Sequence, residues 1–302
     1  MEISRICVFG GSGFVGRSIV EQAYGRGLRV RVVTAYEPAA MPVSVVPTVE
    51  IVTADVFDDR ALAAACEDMD AVVNLVGILN ERGHKGAGFR LAHVEFTEAV
   101  LQACHGAHVP RLLHMSALNA DKRGPSHYLR TKGEAAALVL AAKQPQVTVF
   151  EPSVIFGPGD SFLTRFARLL KHMPLVFPLA WPKARFAPVY VGDVVEAFTR
   201  CLEQRLGIGQ RYVLRGPKVY TLKELVSYTA RLSGLRRLVI GLPRPAAWLQ
   251  AALMEWLPGK PFSLDNYRSL TRDSVSEEDG LAALKVTATP LEAVAPTYLG
   301  NV

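Results

Sequence analysis

This chain of 302 residues lacks the features that would place it in several large classes. It has no uninterrupted apolar stretch near the ~18 residues that a bilayer-spanning helix requires, so no membrane span is expected. Cysteine is scarce. Cys7, Cys66, Cys104 and Cys201 stand far apart with no C-x-x-C, which argues for reduced thiols in a cytosol-like compartment. Metal-ligating residues cluster once, at Cys104-His105-x-x-His108, and without a second ligand set no metal is expected there. No charged-then-apolar leader precedes the first apolar run, so no secretory signal is expected. Basic runs interleaved with aromatic residues are also missing. That speaks against nucleic acid, although the formal net charge is +6. The positive balance leaves other anionic partners: a cofactor phosphate or a membrane surface.

What is present begins at the N-terminus. Ile3 to Phe9 is a short apolar run rich in β-branched residues and reads as a buried parallel strand. It breaks into Gly10-Gly11-Ser12-Gly13-Phe14-Val15-Gly16-Arg17 and then turns helical. Strand, glycine turn and helix in that order form the context of a dinucleotide fingerprint. The glycines permit a tight turn and close approach to a pyrophosphate, and the helix N-terminus offers unpaired N–H groups to its charge. The spacing is Gly10-x-x-Gly13-x-x-Gly16 rather than G-x-G-x-x-G.

Further strands are expected at 28–34, 49–53, 71–76, 111–115 and 147–150, with helices between them. The helix at 58–66 starts on an Asp, a long amphipathic one runs from about 89 to 107, and another opens at Gly124-Pro125-Ser126 with Ser126 as its N-cap. The alternation predicts an α/β fold, a Rossmann-type doubly wound parallel sheet. After Pro152 the rhythm changes to proline-rich turns and helices. Residues 1–155 are read as the nucleotide-binding domain, with 186–215 returning to it. Residues 156–185 and 216–302 form a smaller, mainly helical substrate region.

Tyr128 and Lys132 make a Y-x-x-x-K twelve residues after Ser116. On a helix they share a face, so hydroxyl and ammonium can enter one cleft. A free Tyr titrates near ~10 and is a poor base, and a nearby Lys favours its phenolate. Lys132 can also reach a cofactor ribose, and Ser116 can orient a substrate carbonyl.

With these motifs in order, the chain resembles the short-chain dehydrogenase/reductase superfamily, in its extended form. The resemblance rests on the glycine turn, Asp55, Asn74-Leu75-Val76-Gly77, Ser116-Ala117-Leu118, Tyr128-x-x-x-Lys132, Pro152-Ser153-Val154 and Pro188-Val189-Tyr190-Val191-Gly192-Asp193. The last of these, with Asn74 to Gly77 and Pro290 to Ala293, looks most like the atypical branch that holds the nucleotide-binding accessory subunit of respiratory complex I and its bacterial relatives. The resemblance implies a bound nicotinamide dinucleotide, with Thr34, Asp55, Val56, Val76, Gly77, Lys132, Pro152 and Val154 at the cofactor beside the glycine turn. It does not imply turnover. Two positions depart from the family pattern: His93 replaces a common Asn, and Glu151 stands where a basic residue is usual.

Cofactor choice turns on Thr34-Ala35-Tyr36-Glu37 at the end of the second strand. NAD enzymes place an acid there and NADP enzymes a cation. Only Glu37 is acidic and it sits late, while Arg17 is a candidate phosphate partner. NADP(H) is therefore favoured, with NAD(H) as the alternative. The segment 245–257, with two Trp, is expected to pack over the substrate cleft as core, or else to lie at a membrane interface. The leading functional reading is an oxidoreductase acting on an apolar or quinone-like substrate. A non-catalytic nucleotide-binding subunit comes second and a nucleotide-sugar epimerase or dehydratase third. The expected location is cytoplasmic, with peripheral contact to an inner membrane or respiratory complex left open.

Overall fold

The structure, a computed structural model, describes residues 3–55, 58–173 and 175–300, with the side chains of Glu37 and Pro38 outside that description. Val56, expected in the site, lies outside the described residues. Seven apolar runs form strands: β1 (Arg5–Phe9), β2 (Arg29–Thr34), β3 (Val49–Thr53), β4 (Ala71–Asn74), β5 (Arg111–Met115), β6 (Gln146–Pro152) and β7 (Gln210–Leu214). They build one sheet in the order β7-β6-β5-β4-β1-β2-β3, with every neighbouring pair parallel.

The period of two along a strand explains why both faces are apolar. In β1, Ile6 and Val8 enter the core shared with α1 (Phe14–Gly25) and the helix Val191–Glu203. Cys7 and Phe9 enter the opposite core with Asp59–Cys66 and Phe96–Gly106. Burying each such side chain on two faces contributes about 1.5–3 kcal/mol, so this strand is held from both sides. Strand order reverses beside β1, where β4 follows on one side and β2 on the other. A crevice is expected outside the carboxyl ends of the strands there.

Helix starts match their capping residues. Asp58 accepts the N–H groups of Arg60 and Ala61. Ser126 accepts the N–H of Leu129 and opens α2 (His127–Ala141). The long helix expected over 89–107 is interrupted. Ala87–Arg90 and Phe96–Gly106 are α-helical, and Leu91–Glu95 between them forms a π-helical turn.

A third core, around Phe156, Leu163, Phe177, Leu225 and Leu291, serves the smaller region. It includes α3 (Leu163–His172) and a parallel strand pair, Val176–Leu179 with Leu238–Gly241. The first of these two strands falls where the sequence suggested only proline-rich turns. Pro178 is tolerated because a two-stranded ribbon leaves one edge of each strand without a ladder partner. The helix α4 (Arg244–Met254) corrects the expectation of domain core. It buries only Ala247 and Ala251, whereas Trp248 is 52% and the following Trp256 78% exposed. It packs against the short helix Leu264–Ser269, Gln250 donates to the carbonyl of Pro178 at 3.0 Å, and Trp248, Leu249 and Leu253 remain exposed.

Candidate active site

The glycine turn joins β1 to α1 with little room to spare. Gly10 has φ +81°, a left-handed conformation that favours glycine. A Cβ on Gly16 would overlap the Gly10 carbonyl oxygen and lie 2.6 Å from Gly11 Cα. Gly13 differs. Its N–H donates to Gly10 O at 3.0 Å, and an added Cβ would meet only that oxygen, at 3.2 Å. Gly10, Gly13, Phe14, Val15 and Gly16 wall a cleft of about 420 Å³ at the strand ends. This cradle fits a dinucleotide pyrophosphate, because α1 begins in the cleft wall with no side-chain cap on its first N–H groups.

Other residues expected at the cofactor divide into two sets. Gly77, Pro152 and Val154 line the cleft with Ser116, Tyr128 and Lys132, and Val76 meets it through its carbonyl, which accepts from Lys132 Nζ at 3.4 Å. The remainder stand apart from its walls. Gly11 packs towards Val32. Thr34 uses its hydroxyl in the turn after β2, donating to Tyr36 O at 3.0 Å. Arg17 reaches the loop at Gly159, its guanidinium 3.5 Å from where a Cβ there would stand. Ser12 and Asp55 are likewise not among the walls.

Tyr128 and Lys132 rise from α2 on one face, as their spacing requires. Lys132 is buried and donates to the carbonyl of Met115 at 3.1 Å. Its ammonium sits over Gly77, 2.8 Å from where a Cβ would be, so only glycine leaves it room. Among the described residues no acid pairs with it, and burial pulls its pKa down to about 8. Tyr128 departs from expectation. Burial, not the neighbouring ammonium, governs it and pushes it up to about 12. It is a phenol at neutral pH, suited to giving a proton. The Ser116 hydroxyl, in the cleft wall, donates to the backbone carbonyl of Lys132 at 3.3 Å.

His93 occupies the π-helical turn beneath these groups. Its Nε2 accepts the N–H of Ile78 at 3.1 Å. Its Nδ1 lies 2.8 Å from Thr131 Oγ1, whose own proton goes to His127 O, so Nδ1 carries the hydrogen. Burial, reinforced by Lys132 and His114, lowers its pKa to about 2. A neutral ring with both nitrogens committed passes no proton.

Two groups had no signal in the sequence. Glu81 is buried and accepts the N–H groups of Gly86 and Gly88 at 2.6 and 2.8 Å, ordering the glycine-rich loop. The C-terminal segment returns Ser269, Leu270, Arg272 and Ser274 to the cleft. Long-range contacts bring it there, among them the pairing of Ser274 with Ser153, of Asp273 with Arg185, and of the Asp273 carbonyl with Asn119.

Beyond Tyr128 the cleft continues into an apolar cavity of about 260 Å³, walled by Phe162, Phe166, Phe177, Leu179, Met254 and Phe262 among others. Leu79, Tyr128, Val154, Phe162, Phe186 and Leu270 belong to both spaces.

Residues 6–214 match the NAD dependent epimerase/dehydratase family. The chain belongs to that family, which is of the extended short-chain dehydrogenase/reductase type. Subunit 9 of the mitochondrial NADH dehydrogenase (ubiquinone) 1 alpha subcomplex of Mus musculus is 29% identical over 302 residues, covering 94% of this chain and 77% of that protein. The ceramide reductase of Caulobacter vibrioides is 27% identical over 251 residues, covering 83% and 77%. A farnesyl-dihydroquinoline-oxide ketoreductase of Stigmatella aurantiaca is 27% identical over 272 residues, covering 84% and 80%. Among solved structures, the dTDP-glucose 4,6-dehydratase DesIV of Streptomyces venezuelae, with NAD and TYD bound, superposes with TM-score 0.74 at 18% identity over 98% of this chain and 95% of that one. That likeness concerns the fold. The family binds a nicotinamide dinucleotide, and the matched residues include the glycine turn that walls the strand-end cleft.

Proposed function

We propose that this protein is an NAD(P)(H)-dependent reductase of a ketone carried on an apolar, lipid- or quinone-like substrate. The observation that carries the reading is the meeting of the two spaces at Tyr128: a dinucleotide cleft on one side, an apolar cavity on the other. The names of two relatives, a ceramide reductase and a ketoreductase of a farnesylated compound, agree with an apolar ketone. A nucleotide sugar suits the cavity poorly, because its walls offer aromatic and aliphatic side chains where a sugar needs hydrogen bonds.

The bound cofactor supplies a hydride to the carbonyl carbon. Tyr128, held as a phenol by burial, donates its proton to the carbonyl oxygen and recovers one from water. Lys132 holds a positive charge beside the strand-end carbonyls, where it can bind a ribose hydroxyl. The apolar walls exclude water. NADP(H) is the preferred form in this proposal, because β2 runs out through Thr34, Ala35 and Tyr36, none of them an acid for a ribose hydroxyl. Arg17 stands towards Gly159, so the preference is small. Among the described residues no helix is long and apolar enough to cross a membrane. The exposed Trp248, Leu249, Leu253, Trp256 and Leu257 support a peripheral contact with an anionic membrane surface or a membrane complex.

His93 favours a second reading, a nucleotide-binding subunit without turnover, since its ring passes no proton to the cleft. Nicotinamide absorbance with a prenylated quinone and a long-chain ketone, using either cofactor form, separates the two. Tyr128→Phe is expected to lower turnover by roughly 10²–10⁴ with little change in cofactor affinity. Unaltered turnover in that variant refutes the catalytic role, and tight cofactor binding without any turnover favours the second reading.

A further inference from the structure

The apolar cavity contains one charged side chain, Arg165. The helix α3 that carries it is anchored at its start by Asp160, which accepts the N–H groups of Phe162 and Thr164. Leu163, Ala167 and Leu170 face the core, whereas Phe162, Arg165, Phe166 and Leu169 line the cavity. These four recur at the helical spacing of three and four, so Arg165 stands in the middle of an aromatic and aliphatic stripe. It is half-buried there.

Among the described residues Arg165 makes no hydrogen bond, ion pair or cation–π contact, and burial alone moves its pKa, downward. Other polar groups on the walls are spoken for. Gln250 donates to Pro178 O. Asn266 donates to Leu79 O and accepts from Ser263. Ser269 donates within its own helix and to Ser126. By contrast, the buried Arg111 reaches three carbonyls and the Thr148 hydroxyl, and Arg211 pairs with Glu151 and Glu278. Its nitrogens keep access to solvent, so the guanidinium stands in the wall of the apolar cavity with its donors free to take an acceptor from a ligand.

We propose that Arg165 anchors an anionic head group, so that the substrate is an amphiphile with a carboxylate or phosphate at Arg165, its apolar part in the cavity and its ketone at Tyr128. This rests on the reductase reading above. The planar, two-pronged guanidinium suits either oxyanion.

Calorimetry on the nucleotide-loaded protein with dodecanoate, dodecyl phosphate and dodecanol tests it, the two anions distinguishing the head groups. Each chain fills the same apolar walls, so the difference reads the anchor. At least one anion should bind roughly ten- to hundredfold tighter than dodecanol, the ordinary range for a hydrogen bond to a charged group. Arg165→Leu and Arg165→Gln should abolish the difference while leaving dodecanol unchanged, and Arg165→Lys should keep part of it. For long-chain ketones with and without a terminal carboxylate, Arg165→Leu should raise KM for the charged one and leave kcat unaltered. Equal binding of anions and dodecanol by the native chain overturns the proposal, as does an anion preference that survives in Arg165→Gln. If the anion preference depends on Arg165 but no ketone is reduced, the anchor stands and the reductase reading falls.

Discussion

Two alanine substitutions in the glycine turn should separate folding from cofactor binding. At Gly16 the new Cβ would overlap Gly10 O and stand 2.6 Å from Gly11 Cα and 2.8 Å from Gly11 C. All three atoms are backbone of the turn itself, so no flexible side chain can yield. Restoring an ordinary 3.4 Å contact to Gly11 Cα moves the turn away from α1 by about 0.8 Å. Overpacking of this kind costs about 1–3 kcal/mol, and an obstacle of backbone puts Gly16→Ala in the upper half of that range. At roughly 2–4 °C per kcal/mol, Tm should fall by about 5–10 °C. The same displacement misaligns the N–H groups offered to the pyrophosphate, and nucleotide affinity should fall by roughly a hundredfold or more, the loss of two charge-assisted hydrogen bonds. Gly13→Ala should behave differently. Gly13 has φ −75° and ψ 176°, which alanine adopts freely. Its Cβ meets one atom at 3.2 Å and projects into the cleft. Stability should change by less than ~0.5 kcal/mol, while affinity drops by roughly tenfold or more as the methyl excludes the phosphates. Thermal melts and calorimetric titration with NADP(H) and NAD(H) give both quantities. A Gly16→Ala protein that melts and binds as the native one does, or a Gly13→Ala protein that binds normally, would refute the assignment of the turn.

Two further outcomes follow from burial and exposure. His114 is fully buried on β5 with neither ring nitrogen hydrogen-bonded, and burial lowers its pKa from 6.5 to about 3. Between those values the unfolded chain takes up a proton that the native state refuses, so stability falls as pH drops through that window. His114→Leu should match or exceed the native urea midpoint at about pH 7 and lose less of it at about pH 5. His93 keeps a similar term, so the acid sensitivity shrinks without vanishing; an unchanged acid loss refutes the assignment. Trp248→Ala and Trp256→Ala should each reduce flotation with anionic vesicles at low salt without affecting nucleotide affinity. A native protein that stays with the soluble fraction at low salt removes the membrane contact.

Much of the site was legible because its residues are tied to local geometry. The turn from Gly10 to Gly16 needs a conformation and a closeness that only glycine allows, and Tyr128 and Lys132 share a face through helical spacing alone. The same holds for Asp58 and Ser126, whose side chains cap the helices they precede. Where a role depends on distant partners, the sequence had nothing to offer. Glu81 became an organiser of Gly86 and Gly88 through a loop closure, and Ser274 came to the cleft through contacts more than a hundred residues away. The apolar helix near Trp248 misled for a related reason: hydrophobicity records a tendency to be buried, and not whether another element is present to bury it.

By itself, then, the sequence determined the parallel sheet, its order of strands and helices, and the glycine turn, because strand period, helix period and glycine conformation act over a few neighbouring residues. Tertiary structure decided the electrostatics and the substrate side. The phenol of Tyr128, the neutral ring of His93 and the unpaired Arg165 all follow from how completely each group is withdrawn from water and what faces it across the cleft. Desolvation depends on every element packed around a side chain, and no local pattern of residues encodes it.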